Sequence, residues 1–217
     1  MRDTISLHES PGAESTGHPR PVLVHPDFLP LVRCDDLIQA FRQVANVRPP
    51  GWQRSPVRVT SCRREVDGRF LAAMAPEAAA ILSSVRQRAV QAVRQLYELE
   101  GELATEFTLL TEMGPSDAHP LHADNERQDA DGRWVPNHTP VRDYVAMLYL
   151  NMSGVAYSGG ILRFPGLGRE ISPRAGELVA FTCGREHQHE VTRIERGSRF
   201  SVSMWMTRDR VCAEPWD

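Results

Sequence analysis

The sequence predicts a mostly β fold, a sandwich or barrel backed by helices, and three observations predict it. One long amphipathic stripe closes the first half of the chain, over Pro76–Glu100. Seven short strand-like runs, punctuated by Gly, Pro, Asn and Asp, fill the second half. The last of these runs alternates residue by residue between apolar and polar side chains.

The elements follow in chain order. Residues 1–20 are rich in Ser, Gly, Pro and Glu and read as a disordered leader. The remaining 21–217 read as one domain, with helical support over 35–100 and a β core over about 103–210. Val22–His25 suits a short strand. Leu37, Ile38, Phe41 and Val44 recur at helical spacing, so a helix is expected near 36–46, with Asp35 and Asp36 as N-cap candidates and Pro49-Pro50-Gly51 beyond its end. Val57–Arg63 is β-branched enough for a strand. Pro76 suits the first turn of the long helix, where Ile81, Leu82, Val85, Ala89, Ala92, Val93, Leu96 and Leu99 make one apolar face. Strands are expected at Glu106–Met113, Leu121–Asp124, Tyr144–Asn151, Ile161–Phe164, Leu178–Thr182, His189–Ile194 and Phe200–Thr207. The long polar segment 125–140 reads as a loop, and loops of that length are often lids or binding loops.

Composition narrows the function classes. A net charge of −3 argues for neither nucleic acid nor an anionic membrane as partner. The sequence shows no apolar run of membrane-spanning length and no signal-peptide pattern. The four cysteines are widely spaced without a C-x-x-C pair, which fits free thiols in a reducing cytoplasm. All 25 basic residues are arginine, a codon bias that points to a GC-rich bacterial genome.

The chemistry-bearing residues start at His122-Ala123-Asp124. On a strand, positions i and i+2 face the same way, so an H-x-D pair can offer two ligands to one metal. Two histidines and one carboxylate on one face, with open positions opposite, suit non-haem iron(II). The pair alone is weak, since about 0.4 H-x-D matches are expected from composition. A second one, His25-Pro26-Asp27, sits at a turn around proline with no companion motifs, and reads as chance. The third ligand is His187 or His189, which have the same strand parity.

The last run carries a second signal. Arg199, Ser201, Ser203 and Trp205 share one parity; Phe200, Val202, Met204 and Met206 share the other. One face packs under helices and the other faces the barrel interior. An inward arginine is costly unless paired. A dicarboxylate ligand would pair with it through two parallel hydrogen bonds, and Ser201 could add a third. The alternative is an internal ion pair with Glu177 or Glu190.

These strings resemble a known family. The motifs His122-Ala123-Asp124-Asn125, Arg142-Asp143-Tyr144, Tyr149-Leu150-Asn151, SGGILRFP at 158–165, Pro173 with Gly176, His189-Glu190-Val191, Gly197, Arg199 and Trp205 occur in the order and approximate spacing of prolyl-hydroxylase-type iron(II)/2-oxoglutarate dioxygenases. The strings are similar to those of hypoxia-sensing prolyl hydroxylases and collagen prolyl 3-hydroxylases. The resemblance implies a double-stranded β-helix, a jelly-roll barrel of cupin-like form. It implies His122, Asp124 and His189 as iron ligands, which favours His189 over His187. It implies Arg199 and Tyr149 on the far carboxylate of 2-oxoglutarate, Asn151 and Ser201 as further pocket residues, and Arg142 and Trp205 near the substrate. The implied cofactors are Fe(II), 2-oxoglutarate and O2. The implied reaction is hydroxylation of an unactivated C–H bond in a small-molecule or peptidyl substrate of prolyl or amino-acid type, with succinate and CO2 as co-products. Halogenases of this kind lack the carboxylate ligand, so Asp124 argues against halogenation.

Two departures stand out. The strand before the triad lacks a tyrosine that relatives place near the co-substrate, leaving Thr108, Thr111 or water to fill the position. The segment 125–140, with Arg127, Arg133 and His138, matches no one relative. A cupin-like barrel that senses a metal or dicarboxylate without turnover is the alternative function. A metal sensor, however, has no need of a clamp such as Arg199 with Tyr149.

Overall fold

The computed structural model describes residues 21–47 and 55–216. The expected leader and the expected Pro49-Pro50-Gly51 helix stop fall outside the described residues. Three helices, α1 (Leu31–Val44), α2 (Gly68–Met74) and α3 (Pro76–Leu96), cover one face of a seven-stranded sheet. The strands of that sheet, in spatial order, are β1 (Leu23–His25), β12 (Leu178–Thr182), β8 (Tyr144–Tyr149), β15 (Arg199–Thr207), β4 (Ala104–Met113), β3 (Arg63–Asp67) and β2 (Val57–Val59). A second sheet faces it, in the order β11 (Arg169–Ile171), β10 (Leu162–Phe164), β13 (His189–Val191), β5 (His119–His122). Two small ribbons complete the molecule: β9 (Tyr157–Gly159) with β14 (Ile194–Gly197), and β6 (Glu126–Gln128) with β7 (Trp134–Pro136). Pairing within all four sheets is antiparallel, and the two large ones form the walls of a double-stranded β-helix. Among the described residues, no helix is long and apolar enough to cross a membrane.

The strand period builds the layers. Phe200, Val202, Met204 and Met206 of β15 pack with Leu37, Phe41, Phe70, Leu71, Leu82, Val85 and Ala89 of the helices. On the opposite face of the sheet, Tyr149, Val179 and Phe181 meet Leu162, Phe164, Val191 and Ile194 of the second sheet and its ribbon. Burying so many large apolar side chains, each contributing about 1.5–3 kcal/mol, supplies the main driving force. Leu82 is fully buried where α3 meets this core. Leu82→Ala is expected to destabilise the fold by about 2–5 kcal/mol, seen as a lower denaturant midpoint in urea unfolding.

Several expected elements differ in detail. Helix α1 begins at Leu31, directly after Pro30, so Asp35 and Asp36 lie within the helix and do not cap it. The expected strand Val57–Arg63 is a hairpin, β2 and β3, folded at residues 60–62, where Thr60 Oγ1 accepts from Arg63 N. Helix α2 was not expected at all. Its cap is Asp67, whose Oδ1 accepts from the backbone N–H of Arg69 at 2.8 Å and of Phe70 at 3.4 Å. The run His189–Ile194 divides into β13 and the start of β14, and the polar loop 125–140 contains the β6–β7 hairpin.

Candidate active site

The cavity between the sheets is lined by His122, Asp124 and His189 at one end. Arg63, Glu65, Leu109, Thr111, Met113, Val145, Met147, Arg199, Ser201, Ser203 and Trp205 line the main-sheet wall. Sheet register places these wall residues. Ser201 lies between Thr111 of β4 and Tyr149 of β8, and Thr111 pairs on its far side with Glu65 of β3; Arg199 and Arg63 flank Met113 in the same way. The polar parity of the last strand therefore faces the interior, as its alternation requires.

His122, Asp124 and His189 bring their ligand atoms within 4.8 Å of one another. His122 is the last residue of β5 and pairs with His189 of β13. Asp124 lies just beyond the strand, so the same-face argument for H-x-D does not place it. It is held instead by its backbone N–H, which donates to the Cys183 carbonyl at 2.9 Å. Its Oδ1 stands 3.7 Å from His122 Nε2.

The two histidines are pre-oriented. Nδ1 of His122 is 2.8 Å from the Pro120 carbonyl oxygen, and Nδ1 of His189 is 3.0 Å from that of His187. A carbonyl only accepts, so each Nδ1 carries the proton and each Nε2 presents a lone pair, as metal-binding histidines do. Burial outweighs the nearby Asp124 charge and lowers the His189 pKa to about 4, so this imidazole is neutral at pH 7. Burial opposes ionisation of Asp124, but the neighbouring imidazoles of His122 and His189 hold its carboxyl down to about 2. Asp124 Oδ2 is buried without a hydrogen-bond partner. A carboxylate oxygen with no donor, beside two imidazole lone pairs, is a donor set that fits a divalent iron.

His187 is elsewhere. Its ring packs against Phe164 and Phe181, and Nδ1 meets Thr182 Oγ1 at 2.7 Å. Its backbone carbonyl orients His189. His187→Ala is expected to leave iron binding within about tenfold of wild type by metal titration, because the orienting group is main chain. Outer partners whose side chains do orient a ligand cost about 10–100-fold. The decoy pair is also separate: exposed His25 bonds its own Pro26 carbonyl, and Asp27 turns the chain with φ of +53°.

Arg199 is the largest fully buried side chain, 1% exposed. Neither Glu177 nor Glu190 pairs with it; Glu190 faces Arg163 at 3.7 Å. Its Nη1 touches Met113 Sδ at 3.0 Å, while Nε and Nη2 have no partner. The guanidinium lies 4.9 Å from the ring centre of Tyr149, whose buried hydroxyl meets Met147 Sδ at 3.8 Å. An unpaired buried guanidinium is expensive, and an anionic ligand supplies the missing partner. Ser201 stands beside it on the same wall. Gly160, at φ of +66°, gives Arg199 its room: a Cβ there would lie 3.1 Å from Arg199 Cδ.

The other expected residues fall as follows. Asn151 does not line the cavity. Its Nδ2 donates to the Ser198 carbonyl and its Oδ1 accepts from Phe200 N, so it pins both sides of Arg199 in place. Arg142 is committed to Glu106 at 2.9 Å and to the Trp205 ring, 4.2 Å from its centre. Trp205 stacks on Phe107 and lines the cavity. Thr108 points to the helix side and bonds Arg86 and Glu214, so of the two threonines it is Thr111 that lines the cavity. Arg127, Arg133 and His138 are exposed.

Sequence reasoning missed four neighbours. His119 stacks on His122 at 4.1 Å and lines the cavity. Arg63 enters from β3, held by Asp117 through two hydrogen bonds of 2.8 and 2.9 Å, with Glu65 beside it. Tyr157, from β9, is buried close to Arg199. The alternation of Arg63, Glu65 and Asp67 with Arg64 and Val66 was a signal for the β3 pair; nothing local marked the others.

Known proteins agree with this geometry. Residues 108–207 match the family described as the 2OG-Fe(II) oxygenase superfamily. Prolyl 3-hydroxylase 2 of Gallus gallus is 32% identical over 105 residues, 45% of this chain, and the match covers only 15% of that longer protein. The viral collagen prolyl hydroxylase of Paramecium Bursaria Chlorella virus-1, solved with 2OG, superimposes with a TM-score of 0.65 at 15% identity, covering 90% of this chain and 98% of the viral one. A Pseudomonas putida prolyl-4-hydroxylase superimposes at 0.56 with 25% identity, over 87% of this chain and 92% of that one. The family match thus runs through the barrel strands, and the chain folds as those hydroxylases fold.

Proposed function

We propose that the protein is a hydroxylating dioxygenase that uses iron(II), 2-oxoglutarate and O2. The observation that carries this reading is one cavity holding both a His122–Asp124–His189 donor set and an unpaired, fully buried Arg199. A metal-binding barrel alone gains nothing from such an arginine; an enzyme that positions a dicarboxylate beside its metal does. His122, Asp124 and His189 would hold the iron. Arg199 would take the far carboxylate of 2-oxoglutarate, with Tyr149 and Ser201 as its neighbours. When bound, iron would let O2 oxidise both 2-oxoglutarate and the substrate, one oxygen atom entering succinate as CO2 is released and the other turning a C–H bond into C–OH. The apolar side chains of Val145, Met147, Val191 and Leu109 on the cavity wall would limit the access of bulk water to the reacting centre.

The substrate proposed is a prolyl or related amino-acid group, in a peptide or as a small molecule. It rests on the names of the three relatives described above, which are prolyl hydroxylases. Anaerobic protein with Fe(II) and 2-oxoglutarate is expected to develop a visible charge-transfer band; a folded protein without it would sink the reading. Succinate release across a panel of proline-containing peptides and free amino acids then identifies the substrate.

A further inference from the structure

Next to Arg199 lies a second unpaired buried group. Tyr157 is 1% exposed, and its hydroxyl has no hydrogen-bond partner. It comes from β9, outside the main sheet, so it reaches Arg199 from a different wall than Tyr149 does. The contact is built in by the glycine pair. Gly159, at φ of +76°, runs so close to β14 that a Cβ would stand 2.0 Å from the Arg193 carbonyl oxygen. A Cβ on Gly160 would stand 3.1 Å from both Tyr157 Cε2 and Arg199 Cδ. The backbone is thus thinned where Tyr157 and Arg199 converge.

A buried hydroxyl without a partner loses its hydration for nothing in the ligand-free protein. Arg199 Nε and Nη2 lack partners too. The guanidinium N–H groups can only donate, and the Tyr157 proton also lacks an acceptor, so one acceptor placed between them would serve all three. Burial raises the Tyr157 pKa to about 12 even against the nearby Arg199 charge, so the phenol keeps its proton and remains a donor.

We propose that Tyr157 is a binding residue for the far carboxylate of 2-oxoglutarate, donating its hydroxyl to the same group that Arg199 clamps. This rests on the co-substrate reading above and extends it to a residue outside the family motifs. The carboxylate then has a donor from β9 as well as the guanidinium from β15, which fixes its position along the pocket.

Tyr157→Phe removes one oxygen and keeps the ring. Binding is measured anaerobically on the Fe(II) protein with two probes: 2-oxoglutarate, and 2-oxopentanoate, which lacks the far carboxylate. The variant is expected to bind 2-oxoglutarate about 10–100-fold more weakly, the size of a hydrogen bond to a charged group. It is expected to bind 2-oxopentanoate like wild type. Without ligand, its melting temperature is expected to be unchanged or higher, because a hydroxyl with no partner is lost. Unchanged 2-oxoglutarate affinity overturns the proposal. Equal weakening for both probes, or a lower melting temperature, also overturns it, since a purely structural role would give those results. If wild-type protein binds neither probe, the co-substrate reading itself falls, and the assignment with it.

Discussion

Arg199→Met is expected to abolish 2-oxoglutarate binding and, without ligand, to make the protein more stable. Both effects follow from one guanidinium, fully buried and without an acidic partner. Truncating one side of a buried charge pair costs about 2–5 kcal/mol of binding, roughly 30- to several thousand-fold. Replacing an uncompensated buried charge by an apolar side chain of similar volume returns about 1–4 kcal/mol to the fold. In a chain of this size each kcal/mol moves the melting temperature by about 2–4 °C. Calorimetric titration and thermal unfolding read the two halves separately. A less stable Arg199→Met protein would mean that the guanidinium has a protein partner. Retained affinity would remove its clamp role. With Fe(II) present, wild type should also melt higher when 2-oxoglutarate is added, by an amount set by the ligand concentration over its Kd, and the variant should not.

His189→Ala is expected to eliminate the Fe(II)–2-oxoglutarate absorption band and all turnover. His189 is buried and its Nδ1 is bonded to the His187 carbonyl, which leaves Nε2 to bind the metal. His187 cannot replace it, because its ring is sealed between Phe164, Phe181 and Thr182. The loss should exceed the ~10–100-fold that follows removal of an outer hydrogen-bonding partner. Equilibrium binding of Fe(II) checks it, with circular dichroism to show that the fold survives. Retained binding in His189→Ala, together with loss in His187→Ala, would reverse the ligand assignment.

Alternation made the last strand legible. Arg199, Ser201, Ser203 and Trp205 separate from Phe200, Val202, Met204 and Met206 because β15 lies between a helical layer and a cavity, and a strand between two such environments must alternate. The long helix was legible for the same reason at its own period. Parity failed where strands stop. His187 sits in a 3-10 turn at Arg185–His187 and Asp124 in a bend, so neither obeys a period of two. The choice of His189 came from the family resemblance, and the structure supplies its physical reason. Residues delivered by distant pairing were silent. Arg63 and Glu65 arrive through the β3–β4 ladder, from a segment about 60 residues before the triad. Tyr157 looked like any core tyrosine, since a missing hydrogen-bond partner is visible only in three dimensions. Asn151 shows the reverse: the family motif pointed at the pocket, and the backbone beside Arg199 consumed its amide.

The β6–β7 hairpin has feet distinct from its tip. Asn137 Nδ2 and Thr139 Oγ1 donate to the Asp124 carbonyl at 2.9 and 2.8 Å, Asn125 Nδ2 donates to the Arg142 carbonyl, and Glu126 accepts from Arg185 N. Between these anchors, Arg127 to Pro136 make no side-chain hydrogen bond outside the hairpin among the described residues. The segment is therefore a cassette: its sequence and length can be exchanged while the residues that seat the metal ligand stay fixed. For an engineer, that makes it a natural place to graft a new recognition loop onto this barrel, and for evolution it is the part free to diverge.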